Sequence, residues 1–198
     1  MKRALERIVR ILIVLISFLL ACAVIWFAYR DAGYWQTYSS VFIILALVLG
    51  GALGSFVCVA LHELGHILFG LANGFRFNSV SIGWLKIYRK DGRLRVTLHE
   101  IPDSVAGVAE MIPRRTDRLY VRYGRMTGGG LALSLLCFLA SAAAFLLYFL
   151  VGMPFAVYAL TCTALPCAFG LFFYNLLPRF GGGADTDVAD LTQALKAC

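Results

Sequence analysis

The sequence predicts an all-α polytopic membrane protein with about four transmembrane helices and a small cytoplasmic or interfacial β-hairpin. Three observations carry that prediction. Of the 198 residues, 61% are hydrophobic and only 15% charged, with a mean hydropathy of +0.81, far more apolar than a soluble domain of ordinary composition. Four long apolar runs, Ile11 to Ala28, Val41 to Leu71, Leu131 to Val151 and Phe155 to Leu177, each supply the roughly 20 residues of helix that a bilayer requires. Between the second and third runs, Val80, Ile82, Leu85 and Ile87, then Leu94, Val96 and Leu98, flank Lys90-Asp91-Gly92-Arg93. Asp-Gly between such segments is a strong hairpin signal.

The first run contains Leu19-Leu20-Ala21-Cys22, which has the flavour of a lipoprotein cleavage site, but the apolar stretch continues through Val24, Ile25, Trp26 and Phe27. It is too long for a signal core and suits a permanent anchor. Trp26, Tyr29, Tyr34, Trp35 and Tyr38 follow as an interfacial aromatic belt. The second run contains no proline and meets Asn73-Gly74, a good helix stop. Its Gly50, Gly51 and Gly54 permit close helix approach. The basic loop 73–126 is too short for an independent domain, and a turn or amphipathic piece is expected through Pro102 and Pro113. The chain therefore reads as an accessory helix with an external loop, residues 1–39, and a membrane core, residues 40–198.

Orientation follows from Lys and Arg, which are retained on the cytoplasmic side when they lie in short loops. The N-terminus carries Lys2, Arg3, Arg7 and Arg10, the 30–40 loop has one Arg and one Asp, and residues 73–126 hold eleven Lys/Arg against five Asp/Glu. Both termini and the basic loop are expected in the cytoplasm. The net charge of +7 is mostly this topology signal, with anionic headgroups as a further contributor, and it gives no reason to invoke nucleic acid. The six cysteines lack zinc-knuckle or disulfide spacing and read as small buried hydrophobes.

The chemistry concentrates in Leu61-His62-Glu63-Leu64-Gly65-His66, an H-E-x-x-H segment on a predicted helix. Residues i and i+4 share a helix face, so both imidazoles can reach one Zn²⁺. Glu63 projects beside them, where it can take a proton from water activated by the metal and pass it to a leaving amine. Ionisable side chains at the end of an apolar helix are costly to bury and mark function. A catalytic zinc needs a third protein ligand and an open position. The remaining histidine, His99, sits beside Glu100 in the basic loop and reads as a solvated residue; Asp185 and Asp187, just after the fourth run, are better candidates. If that run returns to the cytoplasmic face, these aspartates reach the same membrane side as His62 and His66.

These residues resemble the site-2 protease family of intramembrane zinc metalloproteases. That family pairs His-Glu-x-x-His in one transmembrane helix with an Asn-x-x-Pro segment and an aspartate ligand near a later helix, and this chain has Asn175-Leu176-Leu177-Pro178 followed by Asp185 and Asp187. Gly128-Gly129-Gly130-Leu131-Ala132 also looks like the small-residue start of the family's middle core helix. The similarity spans residues 41 to about 191. It departs from the family in a longer spacer after the proline, Arg179 to Ala184, and in having no glycine after either aspartate. The resemblance favours Asp187 as third ligand, because Thr186-Asp187 matches the Thr/Ser-Asp of members with a glycine-rich spacer and Leu191 and Leu195 suggest a following helix. Asp185 is the reserve. For the one that is not a ligand, a charge at a helix N-terminus is the alternative role.

The same resemblance implies that Asn175 holds the substrate backbone or stabilises an oxyanion; a helix–helix hydrogen bond is its other reading. It further implies hydrolysis of peptide bonds in or beside membrane-embedded protein or peptide substrates, with the lipid bilayer as surroundings. A noncatalytic metal-binding scaffold with a protease-like core is the rival reading, favoured only by the altered aspartate region. Glu63 argues against it, since a purely structural zinc needs no general base.

Overall fold

The computed structural model describes residues 2–98 and 106–177. Its elements are α1 (Lys2–Arg30), α2 (Ala32–Thr37), α3 (Ser40–Ala72), β1 (Phe75–Ile82), β2 (Leu85–Lys90), β3 (Arg93–Leu98), β4 (Gly107–Pro113), α4 (Leu119–Val151), α5 (Phe155–Thr161) and α6 (Leu165–Leu176). Four stretches are helices long and apolar enough to cross a membrane: Arg7–Arg30, Ser40–Ala72, Leu119–Val151 and Phe155–Leu176. The expected hairpin is present, with β2 and β3 paired from Leu85↔Leu98 to Lys90↔Arg93. Asp91 and Gly92 both take positive φ, 52° and 76°, the backbone of the two-residue turn that matches strand twist.

The hairpin is only half of the β structure. All four strands form one antiparallel sheet in the order β3-β2-β1-β4, so the fold is helical with a small sheet rather than all-α. The stretch expected as a turn or amphipathic piece before Pro113 is β4, which pairs with β1 along its whole length. A bulge at Asn78 interrupts that ladder, since Phe77 faces Met111 and Ser79 faces Glu110. Glu110 secures the bulge by accepting hydrogen bonds from Ser79 Oγ at 2.6 Å and Asn78 Nδ2 at 3.1 Å. Those bonds, led by the one from Ser79, and the nearby Lys86 charge hold the Glu110 carboxyl below its ordinary pKa of 4.5 against a smaller opposing effect of burial.

Two further differences concern the helices. α4 starts at Leu119, twelve residues before the apolar run, and takes in Arg122 and Arg125 from the expected basic loop. The fourth span is not continuous: residues 162–164 form a turn between α5 and α6. Pro166 lacks the N–H that would bond the Cys162 carbonyl, and its ring would crowd it. That carbonyl instead accepts from Leu165 N at 3.1 Å. α3 ends as expected, with Gly74 at φ 82° and its N–H on the Leu71 carbonyl at 3.3 Å.

The described residues divide between two compact units, one within residues 2–58 and 135–174, the other within residues 59–134 and 175–177. The first is a helical unit whose core joins Val24, Ala28, Tyr34, Ile43, Phe155, Tyr158, Ala159 and Cys162. Its buried hydroxyls are satisfied by backbone: Tyr158 donates to Val24 O at 2.6 Å and Tyr34 to Met153 O at 2.8 Å, as buried phenols require. Gly50 lies directly against the Ala159 carbonyl, the close approach that a small residue allows. The second unit holds the sheet, the end of α3 and the start of α4.

Candidate metal centre

His62, Glu63 and His66 occupy successive turns of α3 inside the second unit. His62 and Glu63 are 5% and 4% exposed, so an imidazole and a carboxylate are buried where only good partners offset the loss of water. The helical i, i+4 spacing brings the two imidazoles together with ring planes at 89°. Their Nε2 atoms are 3.2 Å apart. Two nitrogens bound to one tetrahedral Zn²⁺ at ordinary lengths stand about 3.3 to 3.4 Å apart, so the pair is close to the edge length of a zinc site.

Each ring is oriented through its other nitrogen. His66 Nδ1 lies 3.2 Å from the Met126 carbonyl, which can only accept, so Nδ1 carries the proton and Nε2 the lone pair. His62 Nδ1 lies 2.7 Å from Ser134 Oγ, a residue with no exposed surface on α4. Imidazoles fixed in this way by an outer partner are the usual form of histidine ligands. Ser134 Oγ can donate to or accept from His62 Nδ1, so the Nε2 pair is a hydrogen bond in one His62 tautomer and a pair of donors facing a common point in the other, the arrangement that fits a zinc ion.

The helix packing that makes this possible depends on glycine. A Cβ at Gly65 would run into the Gly129 backbone, and one at Gly130 would collide with the His66 ring at Cε1 and Nε2. Two of the three consecutive glycines, Gly129 and Gly130, thus lie against α3, while Gly128 has open space. Gly107, the first residue of β4, lies against Glu63: a Cβ there would stand 2.6 Å from Oε1. The carboxylate is therefore covered by the start of an edge strand. No family model, no curated protein and no solved structure matches this chain. The site must be read from its own atoms.

Among the described residues, no three His, Cys, Asp or Glu side chains converge as a donor set. His99 and both expected third-ligand candidates, Asp187 and Asp185, lie outside the described residues. Asn175 sits in the last turn of α6 and belongs to the same compact unit as the histidines. Three participants escaped sequence reasoning: Ser134, the Met126 carbonyl and Gly107. Ser134 left a signal, because a hydroxyl in an apolar run needs a partner. Gly107 left a weaker one, a glycine at a strand terminus where another group approaches closely. A backbone carbonyl leaves none.

Proposed function

We propose that the chain is an intramembrane zinc metalloprotease in which His62 and His66 hold the metal, Asp187 completes the ligand set with Asp185 in reserve, and Glu63 is the general base. The observation that carries this reading is the 3.2 Å Nε2–Nε2 pair, with each Nδ1 engaged by a partner on α4, beside a buried glutamate. Zinc held by these residues would supply Lewis acidity to the scissile carbonyl and to water, bringing the water's pKa near ~7. Glu63 would take a proton from the attacking water and deliver it to the departing amine. Its burial keeps bulk water from competing for the transfer. Asn175 donates its amide to the substrate, on the backbone or at the developing oxyanion.

A helical substrate hides its carbonyls in internal hydrogen bonds, so the scissile segment must become extended. β4 suits that requirement: it is an edge strand of the sheet, and its first residue touches Glu63. An unwound substrate strand added to this edge would present backbone carbonyls towards the carboxylate. The basic loop and both termini face the cytoplasm in this reading, by the distribution of Lys and Arg.

The experiment is cleavage in reconstituted vesicles of a panel of single-span proteins and of soluble peptides with the same sequences. The reading expects chelator-sensitive cleavage of spanning substrates only. Cleavage of the soluble peptides alone would make the protein a membrane-anchored peptidase. Zinc binding without cleavage of any substrate would favour the scaffold.

A further inference from the structure

From the register of the β2–β3 hairpin we infer that it is a docking surface for the anionic phospholipid face of the bilayer in which the helices are anchored. Residues opposite one another in an antiparallel ladder share a face. Leu85 with Leu98, Ile87 with Val96 and Arg89 with Leu94 form one face; Lys86 with Thr97, Tyr88 with Arg95 and Lys90 with Arg93 form the other. One side is thus aliphatic with a single arginine near the tip, and the opposite side carries four cations. Leu94, Val96 and Leu98 are 67%, 66% and 71% exposed, so the protein does not cover them. Scattered exposed aliphatics need no explanation, but three in register on one strand form a patch.

The charge selects the occupant. Residues 85–98 contain Lys86, Arg89, Lys90, Arg93 and Arg95 against the single acid Asp91, and among these cations the Lys86 charge also acts on Glu110. An apolar face backed by a cationic one is the amphipathic pattern of segments that lie in the headgroup region, with aliphatic side chains at the acyl boundary and cations among phosphates. The tether keeps the hairpin there. β1 begins at Phe75, just after α3 ends at Ala72, and five residues separate β4 from α4. Each hairpin strand is six residues long, about 20 Å, so the surface stays near the ends of two apolar spans. A neutral surface would satisfy the aliphatic face alone; an anionic one satisfies both, raising occupancy roughly fivefold per engaged cation.

The test uses the full chain in vesicles, with Trp26→Phe, Trp35→Phe and Trp84→Phe removing native tryptophan and either Val96→Trp or Thr97→Trp as reporter. The vesicles are phosphatidylcholine with or without about 30% phosphatidylglycerol, and acyl-chain-brominated phosphatidylcholine is the quencher. Quenching of the Val96→Trp reporter should be at least about twofold stronger in the anionic vesicles, and the difference should vanish at about 0.5 M salt. The Thr97→Trp reporter should be quenched less, and adding Arg93→Gln with Arg95→Gln should narrow the lipid difference. As a check on the unsubstituted chain, amides of residues 85–98 should exchange more slowly in the anionic vesicles. Equal quenching in both lipids, equal quenching of both reporters, or a response only when a spanning substrate is added would overturn the inference. None of these readouts depends on zinc or on cleavage.

Discussion

At the scale of single residues, the proposed metal centre depends on groups that orient the histidines rather than ligate. Ser134 Oγ fixes the His62 ring and Gly130 leaves room for the His66 ring. Ser134→Ala should weaken zinc binding by roughly 10- to 100-fold, the usual effect of removing an outer partner, with the fold intact. Gly130→Ala should do at least as much, because the added methyl displaces the donor atom itself. Competition with a chromogenic zinc chelator measures both; unchanged affinity in Ser134→Ala would mean that the hydrogen bond does not position the ligand. The two histidines and the glutamate were legible in the sequence because helix periodicity alone puts i and i+4 on one face. Ser134 and Gly107 were not, because their roles exist only once α4 and β4 have packed against α3.

At the scale of elements, local chemistry was readable and long-range pairing was not. The Asp91-Gly92 turn and the Asn73-Gly74 stop are each determined by a few neighbouring residues, and both stand where expected. β1 was read only in part, because Val80 and Ile82 were joined to the first hairpin strand and the bulge at Asn78 breaks the alternation before them; β4 was hidden because it is short and ends in Pro113. The start of α4 was hidden because its first turns carry arginines that read as loop. The break in the fourth span follows from Pro166, which hydropathy does not register. The bulge has a pH signature. Glu110 has a depressed folded pKa, so its contribution to β1–β4 pairing is present above its unfolded value near 4.5 and is lost as pH falls through the lower folded value. Amide exchange in β4, corrected for intrinsic rates, should accelerate across that acidic window, and Glu110→Gln should remove the pH dependence; an identical acid response in the variant would assign it elsewhere.

At the scale of the whole molecule, the described residues contain four helices long and apolar enough to cross a membrane, and the proposed orientation rests on the distribution of Lys and Arg. That proposal puts residues 73–126 in the cytoplasm and the proposed zinc site towards the same side. In sealed right-side-out vesicles, a membrane-permeant chelator should strip the metal and an impermeant one should not; equal stripping by both would reverse or open the topology. The spans were legible from composition because a bilayer imposes a length and an apolarity that few other structures share. The third ligand remains a reading of sequence pattern, so Asp187→Ala and Asp185→Ala should separate, with only one losing zinc.

The most direct test of the centre joins metal content to chemistry in a single substitution. Purified wild-type protein and Glu63→Gln should both hold about one zinc per chain, the stoichiometry of a catalytic site. Only the wild type should cleave a single-span substrate at an appreciable rate, with the variant slower by about 10²-fold or more. Cleavage unaffected by Glu63→Gln, or wild-type protein that binds no zinc, would contradict the account.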